Sequence, residues 1–198
     1  MNKYQKTVET YNKNAAAFVK KFEGISRVAD VVETFALVKK KNPKVLEVGC
    51  GYGREAMTIV AKTNDYTGID VSTEFIKMAA SNVPDGRFVV ADIRSFKIPR
   101  GTDIVFAFAS LLHVNKTDFR KILGNIFKQL NPQGVVRISL KCSEKYEALF
   151  KKDQYGERAF YFYSPEDIRR LAKGFLILKN EVMEVRGEMW LETILQKP

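Results

Sequence analysis

The sequence predicts an α/β fold, a three-layer sandwich whose mostly parallel sheet ends in an antiparallel C-terminal hairpin. Between residues 44 and 140, short apolar runs alternate with amphipathic segments, an order that builds a parallel sheet with helices on both faces. After residue 174, two apolar runs are separated only by Arg186-Gly187. So short a link forces the last two strands to run antiparallel.

Two amphipathic helices are predicted ahead of the first strand. Val8–Phe22 places apolar residues at helical spacing, and Ser26 is a candidate N-cap for a second helix that runs to Val38. Asn42-Pro43 then closes this segment. We therefore predict one domain over residues 1–198, with residues 1–42 as an N-terminal helical segment. The inward face of the second helix is predicted to contain Val28, Val31, Val32 and Phe35.

The remaining helices and strands are predicted from the spacing of apolar residues and from helix-capping residues. Ser72 can cap the helix after the second strand, Ser164-Pro165 begins the last helix, and Asn131–Gly134 stops the helix before the fifth strand. The predicted strands are 45–48, Tyr66–Asp70, Arg87–Asp92, Asp103–Ala109, Val135–Leu140, Phe175–Val185 and Met189–Gln196. The predicted helices are Glu55–Lys62, 72–79, Lys116–Leu130 and Ser164–Ala172.

The first strand breaks into a glycine turn that contains Gly49, Gly51 and Gly53 and leads into a helix. Glycine permits positive φ, and a ligand can lie against its main chain because no Cβ intervenes. A strand, a glycine turn and a helix N-terminus in this order form a cradle of nucleotide size with free N–H groups.

Three carboxylates lie near that turn. Asp70 and Asp92 each end a predicted strand, and the ligands of open parallel sheets bind outside the carboxyl ends of strands. Asp70 stands at the interval from Gly49 at which an acid can accept both hydroxyls of a ribose, with helix capping as the alternative. Asp92 could instead form a local salt bridge with Arg94. Glu47, inside the first strand, needs a partner because an isolated buried charge is costly. That partner is either a cationic or amino-bearing ligand or, as the alternative, a nearby lysine or backbone N–H.

Composition narrows the possible partners. The net charge is +10, which can indicate a nucleic acid or an anionic substrate as partner. The lysines are dispersed, which favours a solvated basic surface, with a functional field for either partner as the alternative. No apolar run is long enough to span a membrane. Two cysteines, Cys50 and Cys142, cannot form a disulfide framework or a zinc site. We expect a cytoplasmic monomer or homodimer with no metal and no membrane partner.

Five motifs in order resemble those of the class I S-adenosylmethionine-dependent methyltransferases. The resemblance covers roughly Tyr11 to the C-terminus, and it is strongest to small bacterial members that act on small molecules. It implies a Rossmann-like fold with a seven-stranded sheet, S-adenosylmethionine as cofactor and S-adenosylhomocysteine as product. Gln133 departs from the family, which more often has a second glycine there, and this affects only the turn. The motifs are Glu47–Arg54, Gly68–Ser72, Ala91–Ile93, Asp103–Val114 and Leu130–Gly134.

The resemblance implies roles around the methionine and ribose parts of the cofactor. The glycine turn, which includes Cys50, would approach the methionine part, with Glu47 near its amino group. Asp70 would bind the ribose hydroxyls. The helix around Tyr11 would close over the cofactor. The implied residues of this part are Tyr11, Glu47, Gly49, Cys50, Gly51, Gly53 and Asp70.

At the adenine and sulfonium, the resemblance implies four further residues. Val71 would pack on the adenine, Asp92-Ile93 would hold its edge, and Ala109 would line the path to the sulfonium. His113, the only histidine, falls just beyond the same strand. An imidazole there can act as a general base near neutral pH, but methyl transfer often needs no base, so a structural hydrogen bond is the alternative.

An apolar pocket with little water would help an anionic nucleophile, because hydration favours the separated ions. The aromatic residues available to build it are Tyr4, Tyr11, Trp190 and the run Phe160–Tyr163, which could equally be a strand that packs on the core.

The predicted function is methyl transfer to an O, N or S nucleophile of a small molecule. One alternative is an RNA or protein methyltransferase, but Ala107–Leu112 lacks the Asn/Asp-Pro-Pro-aromatic stretch of enzymes that methylate base amino groups. Another is a protein that binds the cofactor without catalysis. A nicotinamide dehydrogenase fits less well because Gly53 is misplaced for its Gly-x-Gly-x-x-Gly fingerprint.

Overall fold

The computed structural model describes residues 2–198 and is built on a seven-stranded sheet in the order β3-β2-β1-β4-β5-β9-β8. A separate two-stranded sheet pairs β6 with β7. The strands are β1 Val45–Val48, β2 Tyr66–Asp70, β3 Arg87–Val90, β4 Thr102–Phe108, β5 Leu130–Lys141, β6 Glu147–Asp153, β7 Gly156–Phe162, β8 Leu176–Val185 and β9 Glu188–Gln196.

Helices cover both faces of the sheet. A short 3₁₀ helix, Leu111–His113, follows β4. The α-helices are α1 Lys3–Lys13, α2 Ala15–Lys21, α3 Val28–Ala36, α4 Ala56–Val60, α5 Thr73–Asn82, α6 Lys116–Gln129 and α7 Pro165–Leu171. No helix in residues 2–198 combines the length and the apolar character needed to cross a bilayer.

Strand direction confirms the predicted fold class. β1 pairs in parallel with both β2 and β4, so the strand order reverses at β1 and leaves a crevice beyond its carboxyl end. β9 is antiparallel to both β5 and β8. The sheet is therefore mostly parallel with an antiparallel C-terminal hairpin, as the short Arg186-Gly187 link requires.

Alternation along the strands divides the core into two apolar layers. In β1, Val45 packs with α3 and α4, whereas Leu46 packs with α6 on the opposite face. Both residues are 1% exposed. Two apolar layers on one sheet give the three-layer sandwich, and they fix the position of the turn that follows β1.

The N-terminal segment differs from its prediction. The single helix over Val8–Phe22 is instead two helices, because Asn14 leaves helical geometry at φ −118° and ψ 22°. The Asn14 side chain donates to Thr10 O and to Tyr155 O, which stabilises the break. The second predicted helix begins at Val28. Arg27 occupies its N-cap position without a side-chain hydrogen bond, and Ser26 Oγ accepts from Val28 N at 3.4 Å.

Two residues predicted to face inward on α3 are exposed: Val28 by 50% and Val32 by 45%. The other two predicted inward residues, Val31 and Phe35, do pack against the sheet, so the apolar face of α3 is narrow. Buried Arg137 on β5 pairs with Asp30 and Glu33, which explains how a helix with so narrow an apolar contact is held. α3 therefore belongs to one of the two helical layers of the sandwich.

Candidate cofactor-binding site

The turn after β1 forms a hollow at the carboxyl end of that strand. Gly49 and Gly51 have φ of 74° and 54°, values that L side chains rarely adopt. A Cβ at Gly49 would lie 2.3 Å from the Cβ of Ser110, so that glycine is required by a close approach. A Cβ at Gly51 would meet nothing within 4 Å and would project into open space. No side chain therefore separates the main chain at Gly51 from the cavity.

Asp70, at the end of β2, faces this turn. Its Oδ2 accepts from Gly51 N at 3.0 Å and its Oδ1 accepts from Ser72 N at 2.8 Å. Burial raises the pKa of Asp70 to about 6, and the backbone N–H groups of Ser72 and Gly51 oppose that rise. The structure thus brings the predicted acid beside the predicted cradle.

A cavity of about 350 Å³ extends from the glycine turn across the carboxyl ends of β1, β2 and β4. Its size lies within the range of about 300–1,000 Å³ that small-ligand sites occupy. Most of the site residues predicted from the sequence line it. They are Tyr11, Gly49, Cys50, Gly51, Asp70, Val71, Ile93, Ala109 and His113.

Ala109 shows where the backbone is strained at this site. It has φ of 50°, which is uncommon for a residue with a Cβ, and it lies exposed at the cavity wall. Ser110, the next residue, donates its hydroxyl to Val48 O at 2.6 Å and so ties the loop after β4 to β1. This loop geometry aligns the two strand ends that frame the cavity.

Glu47 does not line the cavity. It is 1% exposed and accepts a hydrogen bond from Tyr66 Oη at 2.6 Å. Burial, and then the nearby charge of Glu55, raise the pKa of Glu47. The partner of Glu47 is therefore the Tyr66 hydroxyl on the neighbouring strand, and not the lysine or backbone N–H expected as the local alternative.

Two other predicted residues also lie outside the cavity lining. Gly53 faces α5, where an added Cβ would lie 3.2 Å from Ala79 Cα, so its small size serves packing. Asp92 forms a salt bridge with Arg94 at 2.5 Å, which is the local alternative stated above. Its neighbour Ile93 is 8% exposed and does line the cavity.

His113 lies in the cavity wall with both ring nitrogens engaged. Nδ1 donates to Ala159 O at 2.6 Å, so Nε2 is the acceptor of the Tyr11 hydroxyl at 2.8 Å. Burial lowers the pKa of His113 to about 4, and the charges of Arg158 on β7 and Lys141 on β5 act in the same direction. The ring is therefore neutral at pH 7 and holds α1, the 3₁₀ helix and β7 together.

Helix α1 forms a roof over the cavity, and Tyr4, Thr7, Val8 and Tyr11 line it from that side. The roof is attached at both ends of the site. Asn12 Oδ1 accepts from Ser72 Oγ at 2.9 Å, and Thr10 Oγ1 donates to Glu157 O at 2.8 Å. The predicted closing role of residues 1–42 thus rests on α1 and α2, whereas α3 belongs to the sandwich.

The β6–β7 hairpin that receives α1 was not predicted. The sequence predicts only Phe160–Tyr163 here, as a strand on the core, as pocket lining or as both by alternation, and the structure places Phe160–Phe162 in β7. Tyr163 is 0% exposed and donates to Val114 O at 2.6 Å, and Phe160 packs against the His113 ring at 4.9 Å between centroids. Neither aromatic lines the cavity, whereas Tyr4 and Trp190 do.

Sequence reasoning also missed the charged residues at the far end of the cavity from Asp70. Lys21 reaches it from α2, Arg27 from the cap of α3, and Arg186 and Glu188 from the β8–β9 turn. The only signal for them was the excess of basic residues, which does not say where the charges lie. Aromatic side chains line the same cavity; they include Phe22, Phe108 and Trp190.

The residues present fit an adenosyl cofactor. A bare main chain at Gly51, an acid at Asp70 within reach of the same hollow, and an apolar wall at Val71 and Ile93 occur along one continuous cavity. A carboxylate suits vicinal hydroxyls, and an apolar wall suits a flat base.

Comparisons with known proteins agree with this geometry. Residues 45–134 match the family model described as a methyltransferase domain. Trans-aconitate 2-methyltransferase of Escherichia coli O139:H28 is 35% identical over 117 residues, which are 58% of this chain and 46% of that protein. The chain therefore spans about half the length of the curated relatives it matches.

Solved structures share the fold across nearly the whole chain. The 1,6-didemethyltoxoflavin-N1-methyltransferase of Burkholderia thailandensis, solved with 1,6-didemethyltoxoflavin and S-adenosylhomocysteine, has a TM-score of 0.74 at 16% identity and covers 96% of this chain and 86% of its own. An S-adenosylmethionine-dependent methyltransferase of Clostridium acetobutylicum has a TM-score of 0.70 at 16% identity, covering 99% of each chain. The sheet topology and the match over residues 45–134 show that this chain is similar to S-adenosylmethionine-dependent methyltransferases in fold and in its methyltransferase-domain segment.

Proposed function

We propose that this protein transfers a methyl group from S-adenosylmethionine to an O, N or S nucleophile of a small molecule. The observation that carries the proposal is the single cavity of about 350 Å³, which extends from the glycine turn to a second end lined by Phe108 and Trp190. One end suits the cofactor, and the other leaves room for an acceptor beneath the roof formed by α1.

At the cofactor end, four groups of this chain are proposed to hold the ligand. The main chain at Gly49 and Gly51 lies against the methionine part, and Asp70 accepts the ribose hydroxyls. Val71 and Ile93 provide the apolar wall for the adenine. When bound, the cofactor supplies an electrophilic methyl group on a sulfonium.

The protein contributes to such a transfer by aligning the two reactants and by excluding water from the cavity. Holding two reactants aligned can supply about 7–11 kcal/mol of the barrier, and excluding water strengthens the electrostatic interactions inside. Here α1 covers the cavity from above, and Tyr11 is fixed by its bond to His113. These residues are therefore arranged to orient the reactants and to enclose them.

A small acceptor is favoured over RNA or a protein. The acceptor end of the cavity lies between α2 and the β8–β9 turn and is roofed by α1, so a macromolecular segment would have to displace that roof. The relative named above acts on trans-aconitate, and the neighbour named above holds 1,6-didemethyltoxoflavin; both are small molecules. These names support a small acceptor without identifying it.

His113 is proposed to be a scaffold rather than a general base. Replacing His113 with glutamine should keep the turnover number within about threefold of wild type, because glutamine can still donate to a carbonyl and accept from a hydroxyl. The measurement is kcat with labelled cofactor, with a melting curve to confirm that the variant is folded. A fall of about a hundredfold or more, the usual scale for a lost general base, would restore the catalytic role.

Calorimetry tests the proposal at its cofactor step. Purified protein should bind S-adenosylhomocysteine and should not bind NADH under the same conditions. A second step then measures transfer of labelled methyl from S-adenosylmethionine to a panel of small acids, amines, phenols and thiols. Binding without transfer to any acceptor would leave a cofactor-binding protein without catalysis, whereas no binding at all would refute the assignment.

A further inference from the structure

The acceptor end of the cavity carries two cations, Lys21 and Arg186, that form no salt bridge within residues 2–198. Most charged side chains in the lining are neutralised by a partner. Lys21 and Arg186, in contrast, have no carboxylate within 4.0 Å among residues 2–198. The compensated pairs are Arg54–Glu55 at 2.5 Å, Arg27–Glu192 at 2.8 Å and Lys141–Glu188 at 2.7 Å.

Lys21 and Arg186 approach the cavity mouth from two sides. Lys21 ends α2 and lies over the ring of Tyr155 at 4.5 Å, while Arg186 lies in the turn between β8 and β9. Burial, and then the charges of Arg158 and Lys151, lower the pKa of Lys21 and add a cost to its charged form, although the carboxylates of Asp153 and Glu188 oppose the shift. An anion at this position would relieve that cost.

Among the described residues, no carboxylate or imidazole that lines the acceptor end of the cavity is free to act as a base. Both nitrogens of His113 are engaged, and the carboxylates of Glu55 and Glu188 are held in ion pairs. Asp70 lies at the opposite end, bound to the glycine turn. Phenols, thiols and amines are mostly protonated at pH 7, whereas carboxylic acids, with pKa values of about 4, are already ionised.

We propose that the methyl acceptor is a small organic acid, methylated on a carboxylate oxygen to give a methyl ester, with Lys21 and Arg186 drawing the acid into the cavity. This inference rests on the methyltransferase function proposed above. A carboxylate oxygen forms the bond to the methyl carbon as the carbon–sulfur bond breaks, and the electron pair of that bond stays on sulfur. The negative charge of the acid and the positive charge of the sulfonium cancel, and no proton moves.

The apolar walls favour this chemistry over transfer to a neutral nucleophile. When unlike charges neutralise each other, a site with little water is an advantage because hydration would stabilise the separated ions. Trp190 and Phe108 form such walls, and Phe22 closes the side toward α2. Transfer to a neutral amine would instead leave a cation beside Lys21 and Arg186.

The chemical nature of the product tests the inference directly. The wild-type protein is incubated with S-adenosylmethionine labelled in the methyl group and with mono-, di- and tricarboxylic acids, each matched to its primary amide, alongside amines, phenols and thiols. Label should pass to acids and not to their amides, and mild alkali should release it as volatile methanol, because esters hydrolyse and ethers, amines and thioethers do not.

Charge-removing variants test the recognition residues. Lys21→Gln and Arg186→Gln should each raise the KM for the acid about tenfold, which corresponds to about 1.4 kcal/mol, with kcat changed much less. Binding of the acid to protein saturated with S-adenosylhomocysteine, measured by calorimetry, should weaken by the same factor. Lys20→Gln is the matched control, because Lys20 is the exposed neighbour of Lys21 on α2 and does not line the cavity.

The inference and the proposed function can fail separately. Transfer of label only to amines, phenols or thiols, or to no acid in the panel while S-adenosylhomocysteine still binds, overturns the organic-acid inference. If the Lys21, Arg186 and Lys20 variants have equal KM values for the acid, Lys21 and Arg186 do not take part in its recognition. Loss of cofactor binding in the wild-type protein would instead overturn the methyltransferase proposal itself.

Discussion

Replacing Gly51 with valine is expected to abolish cofactor binding, with a loss in affinity for S-adenosylhomocysteine of about a hundredfold or more, equivalent to at least about 2.7 kcal/mol. A Cβ at Gly51 meets no protein atom within 4 Å and projects into the cavity, so the valine side chain would occupy space that the ligand needs. The measurement is isothermal titration with S-adenosylhomocysteine.

Gly24→Val is the matched control for backbone strain. Gly24 has φ of 74° and likewise meets nothing within 4 Å, but it does not line the cavity. Both variants impose valine on a left-handed backbone, which costs about 1–3 kcal/mol of stability. If the Gly24 variant loses as much affinity as the Gly51 variant, strain rather than occupancy is responsible and the cradle assignment is wrong.

Replacing Asp70 with alanine should weaken binding of S-adenosylhomocysteine at least about tenfold, the scale of one lost charge-assisted hydrogen bond. The variant also removes the acceptor for Gly51 N and Ser72 N, so the turn itself is held less firmly. Asp65→Ala is the control, since Asp65 precedes the opposite end of β2 and is exposed. Unchanged affinity in the Asp70 variant would refute the ribose role.

The pH dependence of binding provides a second test of Asp70. Its pKa is raised to about 6 in the unliganded protein, and the ionised form is the better acceptor for hydroxyls. Affinity of the wild type should therefore fall as the pH drops from 7 toward 5 and should reach a plateau above 7. The Asp70→Ala variant should lack this rise between pH 5 and 7. If the affinity of the wild type does not change with pH, the cofactor does not prefer the ionised form of Asp70.

The parts of the site that were predictable depend on residues close together in the chain. The glycine turn and Asp70 could be assigned because positive-φ glycines and strand-end acids leave local signals. Glu47 could not, because its partner is Tyr66 Oη, and no local pattern reports a contact between neighbouring strands. The assignment of Glu47 to the ligand therefore missed a protein partner that satisfies the buried carboxyl.

The β6–β7 hairpin was missed for a different physical reason. β6 has no buried residue along Glu147–Asp153, so no apolar alternation marks it as a strand. Its partner β7 buries Ala159 and Phe160 against the 3₁₀ helix and α1, contacts that only the folded chain reveals. The break at Asn14 was missed similarly, since it depends on Tyr155 in the same hairpin.

The polar character of the contact between α1 and β7 has a consequence for turnover. Thr7 Oγ1 accepts from Ala159 N at 2.9 Å, and Thr10 and Lys6 bind Glu157. Hydrogen bonds of this kind exchange with water at a net cost of only about 1 kcal/mol each, whereas parting an apolar interface of equal extent has no such compensation. Release of the product is therefore expected to proceed by separation of α1 from β7 while the sheet stays intact, and to depend on these bonds and on the Tyr11–His113 bond rather than on the core.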